Sequence, residues 1–254
     1  MTNSRVVLFL LLIIPSYLIS QTFSDRFNVP IYVTSSLSTG YDSNIFRLSD
    51  FEKNFEYDDF IPIIDANTFD DGYLIPKISI SYSPYLISNI KTQFNFSLSR
   101  THYLDANDKS YNIIFSELAI KLGSYQWLKF SHRYLPEYYL RNYIDHDSTD
   151  DDYKTCIFSS ESFSASFSKP IVKKIWSRAK YTRTNLYYNI YFTEYDTEIN
   201  QIELRLNSSY FKMNNSFWIS YGDGNNISYN SGYESSIYDR SYTEYIVGLS
   251  SNKK

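Results

Sequence analysis

The chain has 254 residues, room for one large domain or two small ones, and its 24 Lys and Arg against 28 Asp and Glu give a formal charge of −4. Mild acidity without a basic block argues against a nucleic-acid partner. The single cysteine, Cys156, excludes an intramolecular disulfide and a Cys-rich metal site.

The N-terminus reads MTNSR, then VVLFLLLII, then PSYLIS before Gln21. A basic residue, a short apolar run and a small residue at Ser20 form the pattern of a secretory signal peptide over residues 1–20. The apolar run is shorter than the roughly 20 residues of a spanning helix. No cysteine follows it, so a lipid anchor is not expected, and cleavage leaves a chain one unit more acidic. Residues 21–254 are then expected to form one domain.

Along that domain the dominant period is two. In "KISISY", Ile78, Ile80 and Tyr82 oppose Lys77, Ser79 and Ser81; in "QFNFSLS", Phe94, Phe96 and Leu98 oppose Gln93, Asn95, Ser97 and Ser99. "SELAIKLG", "WLKFSHRY", "SFSASFS", "QIELRLN" and "TEYIVGLS" continue the alternation, each with one apolar side. Such alternation predicts strands with one apolar face. Strands are expected near 29–40, 72–83, 88–102, 110–122, 125–135, 156–168, 173–187, 198–211, 215–223 and 239–251. Short links fall at "SPYLIS", "GS", "KPIV" and "KMNN"; long ones fall at 41–71, 103–109, 136–155, 188–197 and 224–238. Long and short alternate throughout, as they do in outer-membrane barrels. Tyrosines near strand ends, among them Tyr73, Tyr82, Tyr103, Tyr111, Tyr134, Tyr188, Tyr210 and Tyr242, are read as an interfacial girdle. The expected fold is all-β: an antiparallel up-and-down transmembrane β-barrel of about 10 strands, or more if the chain continues past Lys254. Its long outer loops are 41–71 and 136–155.

At "LSTGYDSNIFRLS", residues 37–49, the chain resembles the opening strand of porin-like outer-membrane β-barrel families and of the barrel domains of surface-lipoprotein assembly modifiers. Tyr41, Asp42, Asn44 and Phe46 carry the resemblance. It implies the start of a barrel, with Gly40 allowing close packing and Asp42, Ser43 and Asn44 turning the chain into solvent.

With the apolar sides toward lipid, the opposite sides would line a lumen. They carry Lys77, Glu117, Lys121, Lys129, Arg133, Arg178, Lys180, Glu203, Arg205 and Glu244, a lining that favours anions. The competing expectation is an ion-paired interior filled by side chains, as in barrels of about eight strands. The loop "NYIDHDSTDDDY" offers Asp145, Asp147, Asp150, Asp151 and Asp152 as oxygen ligands for a cation, but its spacing lacks the EF-hand pattern and a solvated acidic loop is expected. "YGDGNN" and "FDDGY" read as turns. Ser131 and His132 are adjacent on a strand and so face opposite ways. No catalytic motif, metal site or cofactor is expected, and the chain is not read as an enzyme. The barrel reading implies a location in the bacterial outer membrane and contact with its lipid and lipopolysaccharide. It also implies handling by the barrel-assembly machinery. Two alternatives stand beside a transport or export role: a narrow filled barrel that binds through its outer loops, and a soluble secreted β-sandwich.

Overall fold

The computed structural model describes residues 26–50, 68–87, 90–145, 153–210 and 213–253. The expected signal peptide lies outside them. The described chain is all-β and antiparallel. Its strands are β1 (Ile31–Asp42), β2 (Asp71–Tyr82), β3 (Tyr85–Ile87), β4 (Ile90–Tyr103), β5 (Tyr111–Gly123), β6 (Gln126–Ile144), β7 (Tyr153–Val172), β8 (Ile175–Tyr188), β9 (Thr197–Tyr210), β10 (Met213–Asn226) and β11 (Tyr242–Lys253).

Ten of them form one meander in sequence order, and the three-residue β3 pairs only with β4. The sheet is not closed: β1 and β11 are its two edges. The strand ends that flank 43–70, 104–110, 145–152, 189–196 and 227–241 lie at one end of the sheet, and those that flank 83–89, 124–125, 173–174 and 211–212 lie at the other. Both the start of β1 and the end of β11 lie at the short-link end.

The register carries the period-two pattern across the whole sheet. One line of lateral neighbours runs Ile31, Tyr82, Phe94, Leu118, Phe130, Ala165, Tyr181, Ile202, Tyr221 and Tyr245. A one-residue slip in any pairing would break it by turning a strand's apolar side to the other face. No part of the described chain forms a layer over this apolar face. Its exposed large side chains range from 37% (Ile80, Phe94) to 77% (Tyr245, Leu249) accessible. The buried apolar residues sit elsewhere: Ile45, Phe46, Leu48, Tyr103, Ala106 and Tyr139 form a cluster at the long-link end.

Several sequence expectations need correcting. The link expected at 136–155 is mostly strand, because β6 and β7 run on as a paired ribbon to Ile144 and Tyr153. Two bulges, between Leu135 and Tyr138 and between Tyr139 and Arg141, hide this by breaking the alternation. "YGDGNN" is the end of β10 rather than a turn, and the Tyr242 ring fills the space beside Gly224. Asp71, Gly72 and Tyr73 of "FDDGY" open β2. Asn44–Leu48 does not run into solvent; it folds back, burying Ile45, Phe46 and Leu48. The tyrosines divide as well. Tyr82 and Tyr134 share the apolar face, but Tyr73, Tyr103, Tyr111 and Tyr188 lie on the other side.

Candidate functional site: the polar face and its cap

All ten candidate lining residues fall on the one face opposite the apolar belt. Lys77 lies between Ser36 and Ser99; Glu117 lies beside Ser131 and Arg133 beside Ser162. Glu244 lies beside Gly222. Two adjacent lines of lateral neighbours hold most of the rest. The first runs Lys121, Trp127, Ser168, Arg178, Arg205, Trp218 and Gly248; the second runs Lys129, Ser166, Lys180, Glu203 and Ser220.

Only part of this charge is paired internally. Glu203 accepts hydrogen bonds from Arg178 at 2.9 Å and Arg205 at 3.0 Å. Lys129 lies 3.3 Å from Glu117, which also accepts from Asn95 at 3.2 Å. The Arg205 guanidinium stacks on the Trp218 ring at 4.6 Å, and that ring leans over Gly248, where a Cβ would overlap it. Between the charges the face is built of small polar groups. Ser131 and Ser164 bond at 2.7 Å, and Ser162 and Thr184 at 2.8 Å. At the short-link end it opens into a hollow of about 880 Å³ that includes Trp127, Ser168, Trp176, Asn207 and Ser216.

A folded cap lies at the long-link end. Asp42 accepts a hydrogen bond from the Asn44 backbone N–H, and the Asn44 side chain bonds both the N–H and the C=O of Leu48 at 2.8 Å. This clamp holds Arg47 at φ 56° and drives Phe46 inward. Asp71 anchors the next link by accepting from the N–H groups of Asp105 and Ala106.

Lys109, 2% accessible, then spans from this link to the protruding ribbon. Its amine donates to the Tyr139 and Leu140 carbonyls at 2.7 Å each. Leu140 is the extra residue of the second bulge, so Lys109 meets carbonyl groups beside a break in the ladder. The rings of Phe46, Tyr138 and Tyr139 surround the amine at 5.1–5.4 Å. Burial, with help from Arg47 and Arg141, pulls its pKa down to about 8. The other side of the ribbon is held by Asn189, whose side chain donates to the Thr155 carbonyl and whose N–H donates to Ile157.

A second knot joins the last two long links. Asp196 accepts from Ser228 Oγ at 2.6 Å and from the Tyr188 N–H, and Thr193 bonds Ser235 at 2.6 Å. Burial raises the Asp196 pKa.

Asp145 is buried at the end of β6, and Asp147, Asp150, Asp151 and Asp152 lie outside the described residues. Among the described residues no three His, Cys, Asp or Glu side chains come together as a metal site. Ser131 and His132 face opposite ways; His132 instead lies 2.9 Å from Glu161 and stacks on Phe163. Sequence reading missed Lys109 altogether. "DANDKS" carries no sign that its lysine will meet carbonyls 30 and 31 residues further on. Comparison with protein-family models, with curated proteins and with solved structures finds no match for the chain.

Proposed function

We propose that the chain is a bacterial outer-membrane β-barrel in which β1 closes on β11, and that its polar interior passes small solutes without covalent chemistry. The observation that carries this reading is the bare apolar face, continuous over ten strands and covered by no other part of the described chain. In water such a face would be an aggregation surface; in a bilayer it is solvated. The strands have the reach: 12 residues extend about 40 Å, or about 30 Å when tilted, against an apolar band of about 25 Å. Ten meander strands leave β1 and β11 running in opposite directions, as antiparallel closure requires. Closure would also satisfy two open edges.

The small side chains of the polar face favour a water-filled lumen over a packed one. On β7 five successive inward positions, 160, 162, 164, 166 and 168, are serine. Planar-bilayer recording tests this, with discrete single-channel steps expected from the folded protein. Silent bilayers despite heat-modifiable, folded protein would contradict the pore. A second reading, a surface-binding barrel, is favoured by the folded cap, since buried loops present a fixed outer surface. Under it, solutes would not pass and replacing the cap would leave bilayers silent.

A further inference from the structure

We propose that the cationic girdle inside the sheet is a binding station for a small oxyanion, a carboxylate or phosphate. The proposal rests on the barrel reading, because the rows enclose a lumen only if β1 and β11 meet.

Three observations converge. First, the two adjacent rows hold Lys121, Lys129, Arg178, Lys180 and Arg205 against Glu203 in the rows and Glu117 beside Lys129, five cations to two carboxylates, within a chain whose formal charge is −4. Positive charge is therefore concentrated here against the overall balance. Second, the girdle has donors to spare. Lys121 and Lys180 have no ion-pair partner among the described residues. The Nε groups of Arg178 and Arg205 and the hydroxyl of Ser220 are buried without a hydrogen-bond partner among them. Buried donors of this kind are seldom left unpaired, and guanidinium forks suit carboxylate and phosphate oxygens. Third, Trp127 and Ser168 of the first row also line the 880 Å³ hollow, which gives a ligand room and a route from the short-link end. Ser168, beside Arg178, is too small to fill that space. Glu203 aligns the two arginines, and Trp218 fixes the plane of Arg205.

The test is calorimetric titration of folded protein in detergent with sodium phosphate and, separately, sodium succinate, at constant ionic strength in chloride. Saturable binding of at least one is expected, weakened tenfold or more in the double variant K121Q/K180Q. That variant leaves the Glu203 pairing intact, and unchanged heat-modifiable mobility will show that it folds. R183Q, on the opposite face, should bind as the parent does. No saturable binding of either anion, or equal affinity in K121Q/K180Q, overturns the proposal. Binding with silent bilayers would support the station and remove the pore; conductance without binding would do the reverse.

Discussion

Lys109 and Asn44 hold the cap, and each makes a separate prediction. Lys109 carries its charge in a setting that burial makes unfavourable, so its folded pKa falls to about 8 while an unfolded lysine stays near 10.5. Between those values the open state binds the proton that the closed state has lost. The closed cap is therefore favoured as pH rises through that window, and this contribution is absent below about pH 8. A Lys109-resolved carbon titration should show a midpoint near 8; a midpoint near 10.5 would mean the amine is solvated. Lys109→Met should remove the pH dependence and leave the carbonyls beside the bulge without their donor. Asn44→Ala breaks both bonds to Leu48. A loss of roughly 1–3 kcal/mol for the closed loop is expected, read as trypsin cleavage after Arg47 at least several-fold faster than in the parent. Neither residue was legible as an anchor. "STGYDSN" reads as a turn because turn residues announce local geometry, and burial of Ile45 and Phe46 depends on partners from Phe69 to Tyr139, remote in sequence.

At the scale of elements, legibility follows the physics of alternation. Strands β2, β4 and β9 were readable because "KISISY", "QFNFSLS" and "QIELRLN" within them alternate without interruption. The extension of β6 was not, since each bulge resets the alternation that reveals a strand. In "YGDGNN", Gly224 misled because it marks close approach to Tyr242, not a turn. The cap predicts a gain of function. If Ile45, Phe46 and Leu48 narrow the proposed lumen, replacing residues 44–48 with Gly and Ser at constant length should raise single-channel conductance. Unchanged conductance would mean that the cap lies outside the ion path. The belt predicts asymmetry between neighbours on β10. Ile219→Arg should cost roughly 2–4 kcal/mol in a bilayer, and Ser220→Arg, on the polar face, much less, as read from urea-dependent unfolding in lipid.

For the whole molecule, the sequence disclosed the all-β class and the antiparallel run of the strands, because these depend on local pattern. It could not disclose whether the edges meet, which depends on how the whole sheet curls. If β1 closes on β11, residues must pair with matching faces. Val33→Cys should then form a disulfide with a cysteine at one of the odd positions 245, 247, 249 or 251, and with none at 246 or 248. The most direct test of the membrane reading is a residue-by-residue quenching scan along β9 in lipid vesicles. Single cysteines at 201–206 would carry a small fluorophore. Nitroxide-labelled lipid should quench the label at Ile202, Leu204 and Leu206, while aqueous iodide should quench it at Gln201, Glu203 and Arg205. Equal iodide quenching at all six positions, with no period of two in the lipid channel, would contradict a barrel with lipid outside and water within.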